Sequence, residues 1–133
     1  MKNLFLYFLV FSLLYGCSTS QQNQVPKRFP SKYPKALEYY VACEKMPEIV
    51  GGIGNIQNKV IIPEIVKNGS VSGNVYVNAY INESGTVDYV EIVKGVQQDC
   101  DNEALRVVKD AKFIPGSQKG KSIKMVVIVP IVF

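Results

Sequence analysis

The sequence predicts a single α+β domain in which a three-stranded antiparallel sheet carries two helices on one of its faces. Two apolar runs joined by a tight turn predict the first two strands. A third apolar run at the end of the chain, preceded by an amphipathic helix, predicts the last strand. The chain has 133 residues, of which 47% are hydrophobic and 20% charged. This composition suits one folded domain and excludes a disordered or fibrous protein.

The first residues have the features of a targeting segment. Lys2 is followed by the apolar run Leu4–Leu14, in which Ser12 is the polar exception. A membrane-spanning helix needs about 20 apolar residues, so this run favours a secretory signal peptide over residues 1–16. A buried N-terminal helix is disfavoured, because the apolar run offers no polar face to solvent.

The end of that segment, Leu14-Tyr15-Gly16-Cys17, resembles the lipobox of bacterial lipoproteins, with Tyr15 larger than the residue usual there. The resemblance implies that Cys17 becomes the first mature residue and carries the lipid that anchors the protein to a membrane. It also implies a location in the bacterial cell envelope, with the folded domain in the periplasm. Ser18 after the cysteine favours the outer membrane.

Residues 17–45 are predicted to form a tether between the lipid and the domain. Pro26, Pro30 and Pro34 recur among basic residues there, which favours extended backbone over packing. The stretch Ala36–Cys43 fits a short strand and a turn of helix equally well. The folded domain is therefore expected over residues 46–133.

Two helical segments are predicted at the start of the domain. The first opens at Gly51–Asn55 and has one apolar stripe, formed by Ile53, Ile56, Val60 and Ile61. It should end before Pro63, because a proline disfavours helical backbone in the residue that precedes it. Pro63–Lys67 is then a second short turn, which Asn68-Gly69 ends.

Residues 74–82 alternate between apolar and polar side chains, as in a half-buried strand, with Val75, Val77, Ala79 and Ile81 on one face. Asn82–Gly85 is a hairpin turn, and Thr86–Val93 is the returning strand.

A helix follows, capped by Asp99 or Asp101 and running to about Lys112. Its buried stripe is predicted to be Ala104, Leu105, Val108 and Ala111. Residues 116–120 form a loop, and Ile123–Phe133 is the final strand.

The order of these elements predicts the topology. The helix returns the chain so that the last strand runs antiparallel to the first, on the first strand's free side, which gives the sheet order 2-1-3. Pro130 lacks a backbone donor and is tolerated in a strand at an edge with its nitrogen facing outward. The last strand is therefore predicted at an edge.

Composition excludes several classes of function. The chain has no His and no Trp, which excludes Ser-His-Asp and Cys-His catalysis. A net charge of +4, from 15 basic and 11 acidic residues, is too mild for a nucleic-acid binder. Asp99, Asp101 and Glu103 are better explained as acids at a helix start than as a cation site. We expect neither enzyme activity nor a cofactor or metal.

The three cysteines form an odd number. If Cys17 carries lipid, Cys43 and Cys100 remain. They are either a disulfide of an exported protein or two separate thiols, and their spacing leaves both readings open.

Six short motifs follow one another over residues 46–133. They are Met46-Pro47-Glu48-Ile49-Val50-Gly51-Gly52, Pro63-Glu64-Ile65, Val71-Ser72-Gly73-Asn74-Val75-Tyr76-Val77, Glu83-Ser84-Gly85-Thr86-Val87, Asp101-Asn102-Glu103-Ala104-Leu105, and the closing set Phe113-Ile114-Pro115-Gly116, Gly120-Lys121-Ser122-Ile123 and Val129-Pro130-Ile131-Val132-Phe133. In this order and spacing they resemble the C-terminal domain of the TonB energy-transducer family. Ile62 departs from the pattern, since the family has an aromatic residue there.

The resemblance implies the family's fold and an association with TonB-dependent transport across the outer membrane. In that family the last strand takes in an extended segment of an outer-membrane receptor, the TonB box, by strand addition. The implied partner-binding edge is formed by Ile123, Met125, Val126, Val127, Ile128, Val129, Ile131 and Phe133. Family transducers keep an uncleaved inner-membrane helix that contacts a proton-driven motor, whereas the anchor here resembles a lipid.

Other uses of the apolar edge stay open at the level of sequence. The edge could pair two copies into a homodimer, or the Ala36–Cys43 stretch could cover it. The alternative function is a structural envelope lipoprotein that self-associates or contacts the cell wall without a role in transport.

Overall fold

The structure, a computed structural model, describes residues 39–133. The predicted signal peptide, the predicted lipidation site Cys17 and the predicted tether up to residue 38 lie outside the described residues. Folded structure already includes Tyr39, which is 3% exposed. Lys45 and Ser117 exchange two backbone hydrogen bonds of 3.1 and 2.8 Å. Residues 39–45, which the sequence pattern predicted to be part of the tether, therefore belong to the folded region, because distant parts of the domain bury and pair with them.

Seven strands and three helices are formed within the described residues. In chain order they are β1 (Glu48–Ile49), α1 (Gly52–Gln57), α2 (Glu64–Lys67), β2 (Asn74–Ile81), β3 (Val87–Lys94), α3 (Gln98–Lys109), β4 (Phe113–Ile114), β5 (Ser117–Gln118), β6 (Lys121–Ser122) and β7 (Met125–Val132). Among these residues, no helix is long and apolar enough to cross a membrane.

The three long strands form one antiparallel sheet in the order β3-β2-β7. β2 is central, and its pairing with β7 runs from Asn74–Val132 to Ile81–Met125 without a shift of register. Two smaller sheets pair β1 with β4 and β5 with β6. The predicted α+β class is confirmed, and β7 lies at an edge of the sheet.

The core lies between one face of this sheet and the helices. The alternating residues of β2 that the sequence predicted, from Val75 to Ile81, are all fully buried there. Helix α1 contributes Ile56, and α3 contributes Cys100, Ala104, Val107 and Val108. Burial of each valine or isoleucine side chain in this core stabilises the fold by about 1.5–3 kcal/mol relative to leaving it exposed.

Helix α3 differs from the prediction at its start and on its buried face. The N-cap is Gln97, whose Oε1 accepts a hydrogen bond of 2.7 Å from the backbone N–H of Asp99. Asp99 and Asp101 do not cap the helix. They lie in its first turn, where their negative charges interact favourably with the positive end of the helix dipole. Val107 and Cys100 are buried, whereas the predicted Leu105 is half-buried, because the helix is rotated slightly relative to the predicted stripe.

Helix α1 ends at Gln57 and does not continue to Ile61 as predicted. The backbone beyond it is held by α3: Glu103 Oε1 accepts a bond of 2.7 Å from Ile61 N–H, and Arg106 Nη2 donates to Lys59 O at 3.0 Å. These side chains satisfy the backbone N–H of Ile61 and the carbonyl of Lys59, which would bond within the helix if α1 continued. The hydrogen bond from Arg106 holds the pKa of Glu103 below its ordinary value.

The final strand begins at Met125 and not at Ile123, because residues 117–122 form the β5–β6 hairpin where a loop was predicted. Ile123 N–H instead donates to Gly116 O at 3.0 Å, which holds the hairpin against the preceding turn. At the other end, Phe133 continues the pairing past Val132 by exchanging two backbone hydrogen bonds with Gly73.

The hairpin turn between β2 and β3 agrees with the prediction. Asn82 Oδ1 accepts from the backbone N–H groups of Ser84 and Thr86, at 3.0 and 3.1 Å. Gly85 has φ of 83°, and a Cβ placed on it would lie 1.9 Å from Phe113 O. The turn therefore needs glycine both for its left-handed backbone and for the close approach of β4.

Replacing Gly85 by Ala is expected to destabilise the fold strongly, because the added Cβ collides with backbone and not with a flexible side chain. Gly120→Ala is the matched control, since Gly120 has φ of 74° but nothing within 4 Å of its Cβ position. The control should cost about 1–2 kcal/mol of backbone strain, and Gly85→Ala at least about 2 kcal/mol more. Urea unfolding of both variants measures the difference, and equal losses would contradict the steric argument.

Candidate interaction edge

The two edges of the central sheet differ in their openness to a further strand. β3 has two register shifts, which leave Asp88 and Val93 without a direct partner in β2. It also carries the charged side chains of Asp88, Glu91 and Lys94. Bulges and charges of this kind discourage strand addition. β7 has a regular register and no charged residue, so it is the edge that favours another strand.

The register decides which groups of β7 point away from the sheet. Phe133 and Gly73 exchange hydrogen bonds of 2.8 and 2.9 Å, and such pairs alternate along an antiparallel ladder. The odd-numbered residues of β7 therefore bond to β2, and the backbone groups of the even-numbered residues face outward. Pro130 is even-numbered, so its nitrogen lies on the outer side, as predicted from its missing donor.

The N-terminal end of this edge is occupied by the chain itself. Tyr40 N–H donates to Lys124 O at 2.9 Å, and Val126 N–H donates to Tyr40 O at 2.9 Å. Tyr40 thus forms an isolated parallel bridge with Met125. Within the Ala36–Cys43 stretch, for which strand and helix were left open, residues 39–43 are described, and Tyr40 is extended at this bridge and covers the first part of the edge.

Tyr39 fixes this bridge in place from the outer face of the sheet. Its ring makes edge-to-face contacts with Tyr80 and Tyr89, at centroid distances of 5.2 and 5.9 Å, while those two rings stack at 4.2 Å. Its hydroxyl donates to Asp88 Oδ2. Aromatic pairs of this geometry add about 0.5–1.5 kcal/mol beyond the burial of their area. The bridge at Tyr40 is therefore anchored by its neighbour's side chain.

A side chain closes the C-terminal end of the edge. Gln57 Nε2 donates to Val132 O at 2.8 Å, and Val132 N–H donates to Gln57 Oε1 at 3.1 Å. The carboxamide of Gln57 thus pairs with β7 as a peptide group of a neighbouring strand would. Nothing in the local sequence around Gln57 indicated this role, because the two residues are 75 positions apart.

The middle of the edge remains open. Among residues 39–133, no group forms a hydrogen bond with the backbone N–H of Ile128 or with the carbonyls of Val126, Ile128 and Pro130. The side chains of Ile128 and Val132 lie on the outer face, 56% and 54% exposed. The segment Val126–Val132, which contains this open middle and the two end residues whose N–H groups are already bonded, is called the open edge below.

The structure divides the predicted interface residues into groups. Met125, Val129 and Ile131 are buried in the core, and Val127 is half-buried against it, so these side chains are not offered to a partner. Ile123 precedes β7, and Phe133 is paired with Gly73. Of the predicted set, Val126 and Ile128 are those that face outward.

The two cysteines that the sequence left as a candidate pair are free thiols in the structure. Cys43 is half-buried, and its Sγ donates to Lys45 O at 2.8 Å. Cys100 is buried in α3, where burial, and after it the charges of Asp101 and Asp99, raise the pKa of the thiol. The structure therefore does not join them, since each thiol is held in its own surroundings.

The acidic residues at the start of α3 serve the fold. Asp101 Oδ1 accepts from Val96 N–H at 2.9 Å, and Glu103 binds Arg106 at 2.6 Å. Over residues 39–133, no three acidic or cysteine side chains come together as metal ligands would.

Comparison with known proteins matches most of the described residues to one family. The family described as Gram-negative bacterial TonB protein C-terminal matches residues 62–133. No curated protein matches the chain. Among solved structures, the chain is similar to the NMR solution structure of the Helicobacter pylori TonB C-terminal domain, with 20% identity, 61% of this chain and 86% of that chain covered, and a TM-score of 0.45. The matched residues include the whole central sheet, whereas Tyr40 and Gln57, which close the two ends of the edge, precede them.

Replacing Tyr39 by Ala is expected to release the bridge at Tyr40 and expose the amide of Val126 to hydrogen exchange. Losing a buried aromatic ring costs about 3 kcal/mol, so exchange at Val126 should accelerate about 100-fold. Tyr39→Phe is the control, because it keeps the ring contacts and loses the bond to Asp88. Exchange measured by NMR, with the central amide of Val77 reporting global opening, tests this. Unchanged protection of Val126 in Tyr39→Ala would show that Tyr39 does not hold the bridge.

Proposed function

The chain belongs to the family of Gram-negative bacterial TonB C-terminal domains, and we propose that it is a periplasm-facing, lipid-anchored module that binds an extended peptide by strand addition. The family gives it a TonB-like role in transport across the outer membrane. The proposed partner is the TonB box of an outer-membrane receptor or a similar extended segment.

A single observation carries the proposal: the outward N–H and C=O of Ile128 have no partner among residues 39–133. Backbone groups at a regular, uncharged sheet edge are the template that an added strand uses. On the opposite edge, β3 has bulges and charges, so the sheet accepts a strand on one side. An added strand would also cover the exposed side chains of Ile128 and Val132.

The lipid anchor is the second part of the proposal. Its support is the Leu14-Tyr15-Gly16-Cys17 sequence together with the apolar run before it. A lipid on Cys17 would hold the domain in the cell envelope without a membrane-spanning helix, since two or more acyl chains anchor a protein stably. The residues between Cys17 and Tyr39 would then link membrane and sheet, and Tyr39 is packed beside the open edge.

Proline at position 128 should weaken binding of a TonB-box peptide with little effect on the fold. Ile128→Pro removes an amide that faces outward, whereas Val127→Pro removes one that bonds to Ala79 in β2. We expect at least a tenfold loss of affinity in Ile128→Pro, equivalent to about 1.4 kcal/mol. Val127→Pro should lose about 1–3 kcal/mol of stability, because the carbonyl of Ala79 loses its donor inside the sheet. Titration calorimetry and thermal melting measure both. Full affinity in a folded Ile128→Pro chain would exclude this edge as the site.

Replacing Cys17 by Ser should abolish lipidation, so that the protein no longer partitions with membranes, because the thiol that carries the acyl chains is missing. Ser18→Ala is the control, since it leaves the lipobox cysteine unchanged. Mass spectrometry of the mature N-terminus and membrane fractionation of both variants check this. A native mature chain that begins elsewhere, with an unmodified cysteine, would refute the anchor and leave peptide binding to be judged separately.

A further inference from the structure

The open edge carries few hydrogen-bond donors. Four of its positions face outward, and Val126 N–H and Val132 N–H are already bound, by Tyr40 O and Gln57 Oε1 respectively. Pro130 has no N–H. Ile128 therefore supplies the one amide that remains, whereas the carbonyls of Val126, Ile128 and Pro130 all lack a partner among residues 39–133. The open edge offers three acceptors and one donor.

This imbalance works against pairing with a second copy of the chain. If two copies meet antiparallel with Ile128 facing Ile128, that pair exchanges two hydrogen bonds. Val126 of one copy then faces Pro130 of the other, and carbonyl meets carbonyl with no donor between them. In any other register, each copy still contributes one donor. Carbonyls removed from water without a donor oppose association, so the edge suits another kind of partner.

We infer that the open edge recognises an extended apolar segment whose own amides are free at three alternating positions, and that it rejects a second copy of this chain. The inference rests on the proposed strand addition and specifies its chemistry. A parallel and an antiparallel partner both satisfy it, because each presents amides at every second residue toward Val126 O, Ile128 O and Pro130 O. The partner therefore has no proline at those positions, and a single one of its carbonyls is bonded.

The apolar requirement follows from the side chains beside the edge. Ile128 and Val132 are more than half exposed on the outer face. No residue of β7 is charged. Apolar, β-branched side chains on the incoming strand would cover this surface, and such residues also suit extended backbone. Charged residues facing it would be desolvated without a counter-charge on β7.

The first test measures self-association, which needs no peptide. The probe is the mature chain carrying Cys17→Ser, which is free of lipid, examined by sedimentation equilibrium. Pro130→Val adds an outward N–H and should tighten dimerisation about 25-fold, since each of the two copies gains one hydrogen bond worth roughly a factor of five. Adding Ile128→Pro to Pro130→Val returns the edge to one donor and should restore the weak self-association of the parent. Thermal melting verifies that every variant is folded.

The second test scans a TonB-box peptide of an outer-membrane receptor by single N-methylation. Methylation at three alternating positions should lower the affinity about fivefold or more at each, and methylation between them should have little effect. A peptide alkene isostere removes the carbonyl of one residue together with the N–H of the next, and in an extended strand these two groups point in opposite directions. Applied to the peptide groups whose N–H faces away from the edge, it should weaken binding at one position. Two or more sensitive carbonyls would show that the edge supplies further donors, and would overturn the inference while leaving strand addition intact.

The outcomes separate the inference from the proposed function. A parent chain that dimerises tightly with the amide of Ile128 protected, or a Pro130→Val chain that dimerises no more tightly than the parent, overturns the inference. Absence of peptide binding refutes the proposed function, and the response of self-association to Pro130→Val still decides whether the edge is limited by its donors.

Discussion

The unbroken pairing of β2 with β7 is the constraint on which both the core and the candidate interface depend. Because the two strands pair from Asn74–Val132 to Ile81–Met125 without a bulge, one parity of β7 is fixed toward the core and the other toward solvent. A slip of one residue would exchange the two sets of side chains and bury Ile128 in place of Val129. The register therefore decides that the odd-numbered apolar residues of β7 pack in the core and that the even-numbered ones face outward.

The sheet protects its two edges in different ways. β3 carries bulges and charges, which are common defences against unwanted pairing. β7 lacks charge, and its ends are closed by the backbone of Tyr40 and the carboxamide of Gln57. Between these closed ends, Pro130 has no N–H, which reduces the number of donors that a partner could use. The result is a short acceptor-rich segment in the middle of an otherwise satisfied strand, and this is the basis for the inferred preference for a donor-bearing peptide over a copy of the same chain.

Residues that precede the family match shape this edge. The match begins at residue 62, whereas the groups that close the two ends belong to Tyr40 and Gln57. The bridge at Tyr40 is held by the aromatic ring of Tyr39 on Tyr80 and Tyr89. The start of the folded region is therefore tied directly to the surface that the proposed function uses, and a change in the N-terminal segment would alter the length of edge that a partner meets.

The sequence by itself determined the features that depend on local order. Alternation from Val75 to Ile81 fixed the buried face of β2, Asn82–Gly85 fixed the hairpin, and the missing donor of Pro130 indicated an outward nitrogen on an edge strand. The sequence did not determine which residue caps α3 or where α1 ends. Gln97 and not an aspartate caps α3, and α1 stops at Gln57 because Glu103 and Arg106 hold the following backbone.

Only the tertiary structure decided which backbone groups of β7 remain available. Gln57 and Val132 are 75 positions apart, and Tyr40 meets Lys124 and Val126 across a comparable separation. A periodic pattern reports which face a side chain takes within its own element, but it carries no information about which distant group will pair with an outward amide. Such contacts arise when the folded chain brings distant segments together, so the donors left at the open edge could be identified from the fold and not from the sequence.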